Sequence, residues 1–161
     1  MKKIILFILI LLAVIGLTQT RRQFSSIRTG GDIRFKTIHG ETINMADLTG
    51  QAVLINFWAS DCLPCLEEIP QLAALRRDLP TLAIIAVAMP YDPPNRIIEL
   101  ANRENIPYAV ALDPQAEINQ AFGGVNLTPT WFLFDKNGRL IKKELGRLDW
   151  TQLRLTLQEL V

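Results

Sequence analysis

Cysteine is scarce in this chain of 161 residues: only Cys62 and Cys65 are present. With two residues between them, the pair is a poor structural staple, because so short a loop hardly constrains the unfolded chain. A closed zinc site is also disfavoured, since such sites use four ligands and His39 is the only histidine. We therefore expect neither a metal nor an organic cofactor.

Positive charge is not in excess either, because 17 Lys and Arg residues face 16 Asp and Glu residues. Four of those cations flank the first apolar stretch, so the remainder of the chain is mildly acidic. This balance provides no basic groove for phosphates, and we expect no nucleic-acid partner. The sequence also contains no internal repeat and no low-complexity segment, which leaves one ordinary globular domain.

One apolar run, Ile4 to Leu17, stands apart from that domain. As a helix it spans roughly 21 Å, which is short against roughly 30 Å of hydrocarbon and typical of a signal h-region. A small-residue cleavage site is poorly formed, so residues 1–23 are interpreted as a signal anchor, with a cleaved signal peptide as the alternative. A buried N-terminal helix is the third interpretation of this segment. Residues 24–32 are interpreted as a linker, and 33–161 as the domain.

The apolar periodicity predicts strands that alternate with helices. An N-terminal β-hairpin comes first, within 33–44, and a helical turn follows at 46–48. The expected fold class is α/β, with a mixed central sheet, helices on both faces and the hairpin added to it. The predicted elements after the turn are strand 52–59, helix 62–78, strand 81–89, helix 95–105, strand 108–112, helix 115–122, strands 130–134 and 140–145, and a last helix that begins after 149.

The cysteine pair lies where the buried strand 52–59 runs into a helix. At a helix N-terminus the first amides are unpaired and the macrodipole is positive, so a thiolate at Cys62 is favoured. That thiolate is the attacking species. Cys65 lies one turn further along, close enough to resolve a mixed disulfide. Pro64 has no amide hydrogen to lose in this first turn and helps to hold the geometry. The pattern favours a redox couple.

Two separated motifs resemble the TlpA/ResA-type thioredoxin-like thiol–disulfide oxidoreductases, over roughly residues 33–160. One is the stretch 58–65 with the Leu-Glu-Glu-Ile-Pro that follows it, and the other is Val-Asn-Leu-Thr-Pro-Thr at 125–130. The resemblance implies a thioredoxin fold and a cis proline beside the cysteines, which Pro129 matches. Such a bond leaves the backbone of Thr128 open to pair with a substrate strand. From the residues alone, a trans proline at an edge strand is equally compatible.

The resemblance also assigns expectations to residues around the pair. Glu68 falls where ResA-like members place an active-site glutamate, although a solvated helix charge fits the same position. Asn56 stands where cytoplasmic thioredoxins carry a buried aspartate, and Trp58 is expected to pack beside the redox site. Asp61 departs from the many relatives with an aromatic residue there. A carboxylate at 61 should oppose a thiolate at Cys62, because like charges disfavour one another, and it changes the rim that meets the partner.

The function implied by the resemblance is reduction of disulfides in extracytoplasmic proteins, on the periplasmic face of an inner membrane to which residues 4–17 attach the chain. Electrons would arrive from a membrane thiol carrier of the CcdA or DsbD kind, and apocytochrome c thiols are candidate targets. The residues alone leave the direction open, so an oxidase or isomerase is the alternative. A Cu(I) metallochaperone is a further alternative, since two thiolates suit Cu(I), but no methionine lies near the motif in sequence.

Overall fold

The computed structural model describes residues 33–160. The segments interpreted as a signal anchor (1–23) and a linker (24–32) lie outside these described residues. Among residues 33–160, no helix combines the length and apolar character that a membrane crossing demands. The elements in chain order are β1 (Arg34–Thr37), β2 (Thr42–Asn44), a 3-10 turn (Met45–Leu48), β3 (Val53–Trp58), α1 (Leu63–Asp78), β4 (Ala83–Ala88), α2 (Pro94–Arg103), β5 (Ala109–Leu112), α3 (Glu117–Ala121), β6 (Thr130–Phe134), β7 (Leu140–Leu145) and α4 (Trp150–Leu160).

The seven strands form one mixed sheet in the order β2-β1-β5-β4-β3-β6-β7. Strand β3 pairs in parallel with β4 and antiparallel with β6, and every one of its residues is buried. A strand covered on both faces must be apolar along its whole length, which is why the run at 52–59 shows no alternation. The N-terminal hairpin joins this sheet because β1 pairs antiparallel with β5. The predicted order of elements and the fold class are confirmed.

Helices cover both faces of the sheet. Phe122, at the end of α3, packs on one face against Phe57 of β3 and Phe132 of β6. The opposite face carries Asn56 and its cross-strand partner Trp131, and it lies under α1 and α4. The ion pair between Asp78 and Arg154 joins those two helices at the surface.

The start of one short helix differs from the sequence-based expectation, and the difference has a local cause. Helix α3 begins at Glu117 rather than at 115, because Ala116 adopts a left-handed φ of 60° that a helix cannot contain. The buried Asp113 carboxylate accepts hydrogen bonds from the Ile118 and Asn119 amides, which fixes the start of this short helix.

Candidate active site

Cys62 is the N-cap of α1, and its predicted place at the start of a helix is what the structure has. The Cys65 amide donates to Cys62 Sγ over 3.3 Å, which shows a backbone donor already aimed at the sulfur. The two cysteines form a disulfide with their Cα atoms 5.3 Å apart. Cys62 is 9% exposed and Cys65 only 2%, so an incoming partner meets Cys62 first. Pro64 lies within the first turn, as expected.

A tight turn leads from β3 into this helix and is fixed by a buried carboxylate. The Cys62 amide donates to the Ala59 carbonyl oxygen over 3.2 Å, which leaves Ser60 and Asp61 as the central residues of the turn. Asp92, which follows β4, accepts from the Ser60 amide at 2.5 Å and from the Ser60 hydroxyl at 2.9 Å. Asp92 is 6% exposed, so these two charge-assisted bonds compensate its burial.

The Thr128–Pro129 peptide bond is cis, as the resemblance implied. Strand β6 starts directly after it, and the register that pairs Thr130 with Phe57 places Pro129 opposite Trp58 at the carboxyl end of β3. The Pro129 carbonyl accepts from the Gly146 amide over 2.8 Å, whereas Thr128 forms no backbone–backbone hydrogen bond to any described residue. The geometry therefore leaves the Thr128 backbone available beside the turn that carries the cysteines.

Glu68 is not a solvated helix charge: its side chain is buried, with 2% of the residue exposed. Its Oε1 accepts from the Leu148 amide over 2.8 Å, in the loop between β7 and α4. Burial raises the pKa of Glu68, and the Leu148 amide and the Arg147 charge only partly offset that rise. Residues three apart on a helix have Cβ atoms roughly 5–6 Å apart on the same side, so Glu68 adjoins Cys65 beneath the helix surface.

Further buried polar atoms share the sheet face below α1. Asn56 of β3, at the position where cytoplasmic thioredoxins carry an aspartate, is 3% exposed. Trp58, at the end of the same strand, is 2% exposed. Among the described residues, neither Asn56 Oδ1 nor the indole nitrogens of Trp58 and Trp131 has a hydrogen-bond partner, and the same holds for Glu68 Oε2. Helix α1 therefore packs on a part of the core that contains buried polar atoms and is not purely apolar.

Three large apolar side chains project into solvent around the pair. Leu63 directly follows Cys62, Leu127 precedes Thr128, and Tyr91 precedes Asp92; each has more than 60% of its surface exposed. The Tyr91 hydroxyl faces the Asp61 carboxylate and the Thr128 side chain. Partial burial, together with the charges of Asp61 and Asp92, raises the pKa of Tyr91 above its ordinary value of 10.0, so its hydroxyl stays protonated.

Sequence reasoning missed Tyr91 and Asp92. A signal for both was present, because they follow the apolar strand β4 within a few residues. Carboxyl ends of neighbouring parallel strands share one edge of a sheet, so the loop after β4 had to meet the loop after β3. The Met89 amide makes this contact, donating to the Trp58 carbonyl over 2.9 Å.

A thioredoxin-like sheet, a cysteine pair at the start of a helix and a cis proline beside it together define a thiol–disulfide oxidoreductase. The comparison with protein families agrees, since the model described as Redoxin matches residues 28–159. The chain belongs to the Redoxin family.

The names of known proteins of similar sequence and structure describe the same chemistry. The chain is 26% identical over 163 residues to the thiol-disulfide oxidoreductase ResA of Bacillus cereus, covering 97% of this chain and 94% of that protein. A solution structure from Neisseria meningitidis, described as a thioredoxin, superposes with a TM-score of 0.76 at 30% identity, covering 82% and 89% of the two chains. A thiol:disulfide interchange protein DsbE of Chlorobium tepidum gives a TM-score of 0.71 at 25% identity, covering 83% and 94%. The predicted resemblance to ResA-type proteins is confirmed.

Proposed function

We propose that this chain reduces disulfides in extracytoplasmic proteins, with cytochrome c maturation as the process it serves. The observation that carries the proposal is the placement of Cys62: it is the more exposed cysteine, it caps α1, and it follows β3 at the end where the register with β6 places the cis Pro129. The names of the relatives, thiol-disulfide oxidoreductase ResA and thiol:disulfide interchange protein DsbE, support thiol–disulfide exchange as the chemistry.

The reaction balances as two thiol–disulfide exchanges. In the reduced enzyme, the Cys62 thiolate attacks one sulfur of a substrate disulfide, forms a mixed disulfide and releases the other substrate sulfur as a thiolate. Cys65 then loses its proton and attacks Cys62 Sγ, which releases the second substrate sulfur and leaves the Cys62–Cys65 disulfide. A dithiol carrier in the membrane, of the CcdA or DsbD kind, would return the two electrons.

We assign to Glu68 the role of accepting the proton that Cys65 loses. It lies one helical turn beyond Cys65 and is buried with it. Its raised pKa makes it a better proton acceptor at neutral pH than an ordinary carboxylate. Asn56 cannot replace it, since an amide does not accept a proton in this range. Trp58 would shield the cysteine pair on the side of the sheet. Thr128 would pair its backbone with the substrate strand next to Pro129.

The proposed location is the periplasmic face of the inner membrane, with residues 4–17 as an uncleaved anchor. The cationic start of the chain and the apolar run that follows it support an exported protein. Membrane fractionation and the mass of the mature chain test this: full-length protein in the membrane fraction agrees with an anchor. Protein in the soluble periplasm that lacks the first residues would instead show a cleaved signal peptide.

The direction of the chemistry is tested by trapping the cysteines in intact cells with an alkylating reagent and counting the modified thiols. A predominantly reduced Cys62–Cys65 pair is expected for a reductase. The variant that lacks both thiols, Cys62→Ser with Cys65→Ser, gives the unmodified baseline. A predominantly oxidised pair would overturn the proposal in favour of an oxidase.

The order of attack is tested by single cysteine variants. Cys65→Ser should accumulate mixed disulfides with partner proteins, because the resolving thiol is gone, while Cys62→Ser should not. The complexes are visible as reductant-sensitive bands on non-reducing gels. Accumulation in Cys62→Ser instead would reverse the roles that exposure and helix position assign to the two cysteines.

A further inference from the structure

The carboxylate of Asp61 lies at the mouth of the active site, immediately before Cys62 and exposed. It forms no salt bridge with any residue in the described range 33–160. The cation of Arg147, in the loop that meets α1, is engaged by Glu67. The rim therefore presents a negative charge that the neighbouring side chains leave uncompensated.

The backbone that carries Asp61 is also held more firmly than the backbone of an ordinary exposed loop. Asp61 occupies a central position of the turn closed by the Cys62 amide and the Ala59 carbonyl. The preceding Ser60 is fixed through both its amide and its hydroxyl by the buried Asp92. Because this backbone is already ordered, binding a partner at Asp61 costs less conformational entropy than binding at a residue of a free loop.

The surroundings of Asp61 determine the shape of that partner. Leu63, Tyr91 and Leu127 are exposed beside it, and they offer apolar contact to a segment that crosses the cysteines. The Tyr91 hydroxyl faces Asp61 and remains a donor. These exposed apolar side chains and the single negative charge of Asp61 together fit an extended peptide that has a cation close to its disulfide sulfur.

We propose that this enzyme prefers substrate disulfides in which a lysine or arginine lies next to the attacked cysteine, and that Asp61 is the residue that selects them. This inference rests on the proposed reductase function and adds the charge of its substrate. An acidic residue at the same substrate position would meet Asp61 with like charge, which is repulsive in the geometry that brings the two sulfurs together.

The test uses three synthetic peptides, each with one intramolecular disulfide and identical except for Lys, Gln or Glu beside the first cysteine. Reduced protein is mixed with each peptide in a single turnover, so no membrane donor is required, and the rate of peptide thiol formation is measured. An exposed charge pair predicts a Lys-to-Glu rate ratio of about two- to fivefold for the unaltered protein. The ratio should fall as salt is raised, because ions screen exposed charges.

Asp61→Asn should bring the ratio close to one, and Asp61→Lys should invert it. The ratio is the right readout because any change in Cys62 reactivity affects all three peptides equally. Asp78→Asn is the matched control: it removes the same charge at the far end of α1, roughly 22 Å along the helix, and should leave the ratio unchanged.

The outcomes separate this inference from the proposed function. Equal rates for the three peptides, or a preference that survives Asp61→Asn, would overturn the role of Asp61 and leave the reductase function intact. Failure of the reduced protein to reduce any of the three peptides would instead count against the reductase function.

Discussion

The two faces of the central sheet differ in chemistry although the same strands supply both. On one face, Phe122 is surrounded by Phe57, Phe132 and Phe134, with ring centroids between 4.8 and 6.2 Å apart and edge-to-face geometry. Such aromatic clusters bury a large apolar area and gain from their mutual orientation. This face contributes to stability and contains none of the residues assigned to the reaction.

The face below α1 combines burial with polar groups. Asn56, Trp58 and Trp131 place polar atoms there without a partner among the described residues, and Glu68 is buried above them. Burying such groups reduces stability, which a core without chemistry would avoid. We infer from this comparison that stabilisation and chemistry are divided between the two sides of one sheet, and this division can be tested.

The largest effect should come from breaking the aromatic face. Phe122→Ala should lower the free energy of unfolding by about 3–5 kcal/mol, because a fully buried ring leaves a cavity. Urea unfolding of the oxidised protein measures it, and Leu155→Ala, on the exposed side of α4, is the control with little change. Under native conditions, the alkylation rate of Cys62 in reduced Phe122→Ala should match that of the unaltered protein. A loss below about 1 kcal/mol would show that the cluster is not a main source of stability.

On the polar face, two changes at Glu68 separate its hydrogen bond from its charge. Glu68→Ala leaves the Leu148 amide without its acceptor, whereas Glu68→Gln keeps an oxygen there and removes the ionisable group. The alanine variant should therefore be less stable than the glutamine variant by about 1–3 kcal/mol, as measured by urea unfolding. Equal stabilities would mean that the bond to Leu148 contributes nothing.

The charge of Glu68 should appear as a pH dependence of stability. Its pKa is raised in the folded protein above the ordinary 4.5, so the folded state binds the proton more tightly than the unfolded state. The contribution of Glu68 to stability is then complete below about pH 4.5 and is lost as the pH rises through the folded-state pKa. Unfolding of the oxidised protein at a series of pH values, compared with Glu68→Gln, isolates this difference, because the cysteines do not titrate in a disulfide. A difference between the two proteins that stays constant with pH would contradict it.

The smallest effect concerns Asp61, which lies at the exposed edge of the active site. Asp61→Asn should lower the pH at which Cys62 of the reduced protein is half reactive, by on the order of half a pH unit for a charge at roughly 6 Å in water. Alkylation rates across pH measure this midpoint, and Asp78→Asn serves again as the distant control. No change, or a rise, would show that Asp61 does not oppose the thiolate.

The sequence predicted the local features of this fold better than the distant contacts. The buried run of β3 and the start of α1 at Cys62 follow from apolar pattern and helix-end chemistry, which act over a few residues. The bond from Glu68 to Leu148 joins residues 80 positions apart, and nothing local distinguishes it from a solvated glutamate. The pairing of β1 with β5 likewise depends on tertiary packing. Asp92 is an intermediate case. Its place at the edge of the sheet where β3 and β4 end could have been inferred from the topology, although its contact with Ser60 is distant in sequence.

The sheet order given above leaves β2 and β7 as its two outer strands, and this has a consequence for solubility. An outer strand presents unpaired backbone groups to which a foreign extended chain can add, and charged side chains discourage such addition. Strand β7 carries Lys142, Lys143 and Glu144, and β2 is only three residues long. An enzyme that acts on protein disulfides meets extended segments of its substrates. The charges of β7 and the shortness of β2 discourage such segments from adding to the sheet.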